Sequence, residues 1–194
     1  LDGVDIRNLK LEDLSGQIGY VPQKGVLFSG TVASNIKYGN AEASDKLVEK
    51  AAKIAQAEEF ISELKSGYKS EIAQGGSNVS GGQRQRLSIA RAIAVEPNIY
   101  IFDDSFSALD FKTDAKLRAA LAKETKNKTV LIVGQRINTI MNADKIIVLN
   151  EGKIVGQGTH QELMKDCEVY QEIAASQLSE DDLQKMSIAA KGVL

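Results

Sequence analysis

Apolar residues along this chain recur at two spacings, one typical of helices and one typical of buried strands. Across residues 83–95 they fall every three or four positions, which predicts an amphipathic helix that Pro97 ends. Residues 99–102 form an apolar run without alternation, as expected of a strand buried on both faces of a parallel sheet. Residues 129–133 repeat this pattern, so we expect a second buried strand there.

Further helices and strands alternate along the rest of the chain. Periodicity predicts helices over residues 45–55, 58–65 and 113–126, a strand over 17–21 and a hairpin over 145–155. Ser44 is expected to cap the first of these helices, and Thr159 with Glu162 has the spacing of a capping box. Strands that alternate with helices of this length indicate an α/β protein with a parallel, doubly wound core.

The composition limits what kind of protein this is. With 194 residues, 43% of them apolar, the chain has room for one sizeable domain or two small lobes. The net charge of −2 and the lack of a basic run beside aromatic residues argue against nucleic acid as a partner. No window approaches a membrane span, so any contact with a membrane is expected to go through other polypeptide. The single cysteine, Cys167, is expected to be a packing residue in a reducing compartment.

A serine and two glycines stand at the start of the helix predicted over residues 83–95. Gly81 and Gly82 leave the first backbone N–H groups of the helix uncovered, at the positive end of its dipole. A phosphate could bind these donors, and the Ser80 hydroxyl would add another. The residues therefore favour a site for a phosphorylated ligand.

Two carboxylates, Asp103 and Asp104, follow the strand predicted over residues 99–102. Open α/β sheets bind their ligands at the carboxyl ends of the strands. Hard carboxylate oxygens at this edge suit a magnesium ion that is shared with nucleotide phosphates.

Each of these features has an ordinary explanation when it is taken alone. Ser80-Gly81-Gly82 could be a loop with a helix cap, and Asp103-Asp104 could be a strand-to-turn junction. Arg84 and Arg86 are expected to form a solvated helix face rather than to bind a ligand. In this order and spacing, however, the elements are much more specific. Residues 79–110 resemble the signature motif, Walker B strand and D-loop of the ATP-binding cassette (ABC) ATPases.

The resemblance extends upstream to Gln23, which follows the strand predicted over residues 17–21. A lone glutamine after a strand is usually a surface residue. The succeeding residues 27–36, with the sequence LFSGTVASNI, make this segment similar to the Q-loop of exporter-type ABC proteins. In that family the Q-loop glutamine reaches the metal ion and the attacking water, and it senses the attached transport domain.

The resemblance implies a fold and a division into parts. The expected fold is α/β, with a P-loop NTPase-like (RecA-like) parallel sheet core that lacks its N-terminal strands and with an inserted helical subdomain. The core would comprise residues 1–35 and 96–175, the helical subdomain with the signature motif residues 36–95, and the C-terminal tail residues 176–194. ATP and Mg2+ are the implied cofactors.

The resemblance also implies roles for individual residues. Asp103 and Gln23 would bind the metal ion, and Asp104, Gln135 and Gln23 would take part in catalysis. The residues that would bind the nucleotide are Ser80, Gly81, Gly82, Gln83 and Asp110. His160, the only histidine, lies inside the predicted capping box and is expected to be structural.

One part of the family pattern is missing. No G-x-x-x-x-G-K-[ST] motif occurs in these 194 residues, and the only Gly-Lys pair, Gly152-Lys153, lies in the predicted hairpin. In the family this phosphate-binding loop lies upstream, together with an inner strand of the sheet. We therefore expect the chain to be truncated at its front and to bind ATP weakly or not at all by itself. The absence of an inner strand should also leave sheet edges unpaired.

Two catalytic positions also depart from the family. Asp104 stands where active members place a glutamate, and Gln135 stands where they place a histidine. This combination, beside an intact signature motif, resembles the degenerate half of a heterodimeric exporter. The resemblance thus implies a second ABC nucleotide-binding domain as a head-to-tail partner. Transmembrane domains fused upstream would place the pair on the cytoplasmic face of the cell membrane.

Two alternatives belong to other functional classes. A non-transport ABC ATPase of DNA repair or chromosome structure would carry a long coiled coil, and this chain has no sustained heptads. A non-hydrolysing interaction module would only complete a partner's ATP site. The transported substrate is not encoded here, because membrane helices select it.

Overall fold

The computed structural model describes residues 1–177, in which strands and helices alternate as the sequence predicts. The strands are β1 (Ile18–Val21), β2 (Gly30–Thr31), β3 (Glu71–Ile72), β4 (Ile99–Asp103), β5 (Thr129–Val133), β6 (Ile146–Asn150) and β7 (Lys153–Gly158). The helices are α1 (Leu11–Gln17), α2 (Val32–Ile36), α3 (Asp45–Ile54), α4 (Glu58–Glu63), α5 (Gly81–Ala94), α6 (Phe111–Glu124), α7 (Ile137–Ile140), α8 (His160–Asp166) and α9 (Glu168–Gln177). The chain divides into two units, the first formed by Leu1–Val133 and the second beginning at Gly134.

Three parallel strands form the central sheet of the first unit, in the order β1-β4-β5. Val21 of β1 lies opposite Phe102 of β4, and Phe102 lies opposite Ile132 of β5. Parallel neighbours need crossover connections, and here these contain the helices α2 to α6. The arrangement confirms the predicted parallel core and brings the carboxyl ends of β1 and β4 to one edge of the sheet.

Helix α5 packs its apolar face into the core of the first unit. Leu87 and Ile93 are at most 1% exposed, and they belong to the same hydrophobic cluster as Tyr100 and Phe102 of β4. Burial of one such aliphatic side chain contributes about 1.5–3 kcal/mol relative to leaving it in water. The start of α5 and the end of β4 are therefore held by one core.

The prediction that β5 is buried on both faces is wrong. Val130, Leu131 and Val133 are 38%, 52% and 51% exposed. Within residues 1–177 β5 is an edge strand that pairs with β4 on one side only, and its side chains are less covered than those of β4. The unpaired edge agrees with the expectation of open sheet edges, and β4 itself alternates between buried and half-buried residues.

Between β1 and β4 the chain forms short helices and a two-stranded antiparallel pair, β2 and β3. Ser44 caps α3 as predicted, because its hydroxyl accepts a hydrogen bond from the Leu47 N–H at 3.2 Å. One hydrophobic cluster joins these helices to β4. The boundaries of a helical subdomain at residues 36–95 thus stay a prediction. In the described part of the chain no helix is both long and apolar enough to cross a membrane.

The second unit contains the predicted hairpin, formed by β6 and β7. Glu151 and Gly152 form its turn, with φ angles of 48° and 74°. Both angles lie in the left-handed region that a tight two-residue hairpin turn requires. Residues 178–194, which make up most of the predicted tail, lie outside the described residues.

Capping and packing in the second unit are local and follow the sequence. Thr159 and Glu162 form the predicted capping box at the start of α8. His160 Nδ1 lies 2.8 Å from the Tyr170 hydroxyl. Burial lowers the pKa of the His160 imidazole and raises the pKa of Tyr170 to about 12. Cys167 is buried, which confirms its predicted packing role.

Candidate functional site

The N-terminus of α5 presents backbone donors. The Ser80 hydroxyl accepts a hydrogen bond from the Gln83 N–H at 3.2 Å, and the Gln83 side chain accepts one from the Ser80 N–H at 2.9 Å. This capping box uses the side chains of Ser80 and Gln83, two of the residues that the sequence assigns to nucleotide binding. Within residues 1–177 the N–H groups of Gly81 and Gly82 have no protein acceptor. They remain available to an anion at the positive end of a 14-residue helix.

The loop between β4 and α6 packs against the same helix end. A side-chain carbon at Gly82 would lie 3.4 Å from the carbonyl oxygen of Ala108, so the glycine allows a close approach of the two backbones. Asp110 caps α6 by accepting a hydrogen bond from the Thr113 N–H at 2.9 Å. Hydrogen bonds from the Thr113 backbone and side chain hold the pKa of Asp110 below its usual value. The Asp110 carboxylate, at the end of the loop that packs against α5, is thus ionised.

The prediction that Arg84 and Arg86 form a solvated helix face is wrong. Both are half-buried, and each binds a backbone carbonyl, Arg84 that of Gly76 at 3.2 Å and Arg86 that of Gln56 at 2.7 Å. The Arg86 guanidinium also lies over the Phe60 ring, 4.7 Å from its centroid. Burial lowers the pKa of Arg86. Arg86 ties α5 to a residue thirty positions away, and Arg84 ties it to the segment just before the helix. Helical charge patterning does not reveal these contacts.

Two adjacent carboxylates mark the end of β4, and each has its own donor. The Tyr20 hydroxyl donates to Oδ2 of Asp103 at 3.3 Å, and Nε2 of Gln23 donates to Oδ2 of Asp104 at 3.2 Å. Desolvation and the charge of Asp103 raise the pKa of the Tyr20 phenol, so it is a donor at neutral pH. The structure therefore brings Gln23, Asp103 and Asp104 together, and it directs the glutamine amide to Asp104.

The backbone at Asp104 leaves the strand abruptly. Its φ angle is 42°, in the left-handed region where aspartate and asparagine are more common than other side chains with a Cβ. The Asp104 N–H donates to the Val133 carbonyl at 2.8 Å, which anchors this turn to β5. The direction of the Asp104 carboxylate is thus set by its backbone conformation as well as by the hydrogen bond from Gln23.

Gln85 connects the two halves of the candidate site. It is 3% exposed, its Oε1 accepts from the Gly25 N–H at 3.2 Å, and its Nε2 donates to the Pro22 carbonyl at 3.3 Å. The segment that carries Gln23 is therefore tied to α5 a few residues beyond the helix start. The sequence contains a hint of this role, because a glutamine stands on the apolar stripe of α5 at helical spacing from Ser88.

Gln135 belongs to the second unit. Its side chain is exposed, and its carbonyl accepts a hydrogen bond from Nε2 of Gln177 at 2.7 Å. The catalytic role that the sequence assigns to Gln135 therefore remains a prediction.

Known proteins match this chain closely. The family model described as ABC transporter matches residues 1–107. The chain belongs to the ABC transporter family. It is 48% identical over 180 residues to an uncharacterized ABC transporter ATP-binding protein of Mycobacterium tuberculosis (strain ATCC 25618 / H37Rv), which covers 91% of the chain and 31% of the relative. It is also 48% identical over 164 residues to the ATP-dependent lipid A-core flippase of Legionella pneumophila (strain Paris), covering 84% of the chain and 28% of that protein.

A solved structure of a bacterial Atm1-family ABC exporter with ATP bound has a similar fold. Its TM-score is 0.88 at 36% sequence identity, over 92% of this chain and 31% of that chain. The P-loop NTPase-like fold that the sequence predicts is thereby confirmed. The chain spans less than a third of the length of these relatives.

The chain carries side-chain oxygen atoms that fit Mg2+ as ligands. Within residues 1–177 neither Oδ1 of Asp103 nor Oε1 of Gln23 accepts a hydrogen bond, whereas Nε2 of Gln23 donates to Asp104. In that part of the chain no cluster of three or more His, Cys, Asp or Glu side chains could enclose a metal ion alone. Mg2+ suits such a sparse set, because one or two carboxylates hold it together with phosphate oxygens and waters.

Proposed function

We propose that this chain is the ATP-binding domain of an ABC exporter, and that it couples ATP binding and hydrolysis to the export of a substrate across a membrane. The observation that carries this proposal is the meeting of Gln23, Asp103 and Asp104 at the carboxyl ends of β1 and β4. Similarity to the lipid A-core flippase and to the Atm1-family exporter supports the exporter class.

Each residue of the site has a role that follows from its chemistry. Asp103 would hold Mg2+ with the amide oxygen of Gln23, and the bound ion neutralises phosphate charge. Asp104 would accept the proton of the attacking water as general base. The uncovered N–H groups of Gly81 and Gly82 would donate to a phosphate at the positive end of α5.

The hydrolytic side of this site is proposed to be impaired. Asp104 is one methylene shorter than glutamate, and a misplacement of about 1 Å can cost roughly 100-fold in rate. Its carboxylate is also bound by the Gln23 amide at 3.2 Å. Gln135 offers a neutral amide, whose bond to a phosphate is about half as strong as that of an imidazolium.

The proposed partner is a second ABC domain with a competent hydrolytic site. In a head-to-tail heterodimer, Ser80, Gly81 and Gly82 would face the nucleotide that the partner's Walker motifs hold, and Asp110 would lie beside this contact. Transmembrane domains, fused upstream, would select the substrate and hold the pair on the cytoplasmic face of the membrane.

Photo-crosslinking of azido-ATP to the full-length gene product, in complex with its partner, tests this function. The variants are Asp103→Ala and, as a matched control, Asp13→Ala, which removes an exposed carboxylate of α1. We expect Asp103→Ala to weaken magnesium-dependent labelling of this chain by about 100-fold, because a metal ion contributes several kcal/mol at such a site. The control should label like the wild type. Equal labelling of all three proteins contradicts the proposed site.

A second function has one observation in its favour. The 194 residues contain Ser80-Gly81-Gly82-Gln83, which resembles the signature motif, but no G-x-x-x-x-G-K-[ST]. This second function is that of an interaction module, which would complete a partner's ATP site without hydrolysing ATP itself. Titration calorimetry with Mg-ATP, on this chain and on one extended at its front, separates the two functions. Binding by the extended chain alone supports the ATP-binding domain, and binding by neither supports the interaction module.

A further inference from the structure

Tyr20 lies outside every motif that the sequence singles out, yet it faces the proposed metal ligand. Tyr20 is paired with Ile101 in the parallel register of β1 and β4. Asp103 lies two residues further along β4, so both side chains project from the same face of the sheet. The tyrosine side chain is long enough to bring its hydroxyl to the Asp103 carboxylate.

The contact is a single, directional hydrogen bond. The Tyr20 hydroxyl donates to Oδ2 of Asp103 at 3.3 Å. Within residues 1–177 no other side chain or backbone group donates to this carboxylate, so Oδ1 stays open. The adjacent Asp104 takes its donor from Gln23 instead. The two neighbouring carboxylates are thus oriented by separate residues.

The Tyr20 side chain does little for the core. It is 52% exposed, whereas Val21, the next residue of β1, is fully buried in the hydrophobic cluster. Loss of the phenol oxygen would leave the ring and the strand pairing in place. The effect of the Tyr20 hydroxyl on Asp103 can therefore be tested separately from any effect on folding.

We propose that Tyr20 is a positioning residue for the metal site. Its hydroxyl holds Oδ2 of Asp103 and so presents Oδ1 to the Mg2+ of the bound nucleotide. This inference rests on the proposed function, in which Asp103 is the metal ligand. Hydrogen bonds from a second layer of residues orient metal-binding carboxylates, and their removal typically lowers metal affinity about 10–100-fold.

Binding of Mn2+, a paramagnetic substitute for Mg2+, tests the inference by electron paramagnetic resonance on the full-length gene product with ATP. The test variant is Tyr20→Phe, which removes one oxygen atom. The matched control is Tyr38→Phe, because Tyr38 is 62% exposed and its ring stacks on Phe28 with 4.2 Å between centroids. ATP binding in the presence of EDTA is measured in parallel, since a positioning role toward the metal does not change it.

We expect Tyr20→Phe to weaken Mn2+ binding about tenfold, with ATP binding in EDTA unchanged. Tyr38→Phe should match the wild type in both measurements. A Tyr20→Phe curve that superimposes on the wild type, while Asp103→Asn loses Mn2+ binding, overturns the role of Tyr20 alone. Unchanged Mn2+ binding by Asp103→Asn overturns the proposed function instead. Loss of folding in Tyr20→Phe also overturns the inference, because the hydroxyl would then serve the fold.

Discussion

The start of α5 and the end of β4 are both proposed to meet ATP, but they are built in different ways. At α5 the donors are backbone N–H groups, and the side chains of Ser80 and Gln83 are used for capping. At β4 the functional atoms belong to side chains, which are oriented by the half-exposed Tyr20 and by Gln23. The first site should therefore depend on the core beneath the helix. The second should depend on the length and polarity of single side chains.

The largest effect is expected from the core beneath α5. Leu87→Ala should lower the free energy of unfolding by about 3 kcal/mol, because Leu87 is fully buried and its removal leaves a cavity. Leu11→Ala is the control, since Leu11 is 78% exposed and should change stability by less than about 0.5 kcal/mol. Urea unfolding followed by circular dichroism measures both. Equal effects of the two substitutions would show that α5 is not held by this core.

Gln85→Leu should have the next largest effect, because it breaks the link between the two regions. The Gly25 N–H and the Pro22 carbonyl would lose their partners, at a cost of about 2 kcal/mol. Gln74→Leu changes an exposed glutamine and serves as control. The same unfolding measurement applies, and a stability unchanged by Gln85→Leu would mean that these hydrogen bonds do not hold the Q-loop segment.

Ser80→Ala should cost about 1 kcal/mol of stability, the usual value for an N-cap. Ser77→Ala, at an exposed serine outside the helix, should be neutral. Because the proposed phosphate donors at α5 are backbone groups, we expect the variant to retain binding of nucleotide by the proposed partner, as measured by azido-ATP labelling of the partner chain. Loss of that labelling would instead assign the phosphate contact to the serine hydroxyl.

The smallest effect is expected at His160 in the second unit. Burial lowers the pKa of His160 in the folded state, so the unfolded chain binds a proton more readily. The stability that this histidine contributes is present above its unfolded pKa, about 6.5, and is lost as the pH falls below it. Thermal unfolding of wild type and His160→Gln between about pH 7.5 and about pH 5.5 measures this. Parallel curves of the two proteins would contradict it.

Local features of the fold could be predicted from the sequence. Caps at Ser44 and Thr159, the hairpin turn at Glu151 and the helix after Ser80 depend on residues within three or four positions of each other. The apolar run before Asp103 likewise predicted a strand that ends at the candidate site. These elements are encoded by short-range propensity and capping, which a single sequence displays.

The features that the sequence did not reveal depend on distant partners. Arg86 looks solvated until the Gln56 carbonyl, thirty positions away, is placed beside it. The exposure of β5 depends on which strands flank it, because an apolar run is the same at the edge and in the middle of a sheet. The contact between Tyr20 and Asp103 depends on the register of β1 and β4, which places the two residues diagonally from each other.

Turnover at this chain's own ATP site tests the central proposal most directly. In the proposed heterodimer, with hydrolysis by the proposed partner's site blocked, single-turnover rates are compared for the wild type and for Asp104→Glu combined with Gln135→His. We predict a slow wild-type rate and a rise of at least about tenfold in the double variant, because the longer carboxylate and the imidazolium restore the base and the phosphate contact. A rate that does not rise would contradict the impaired-site proposal.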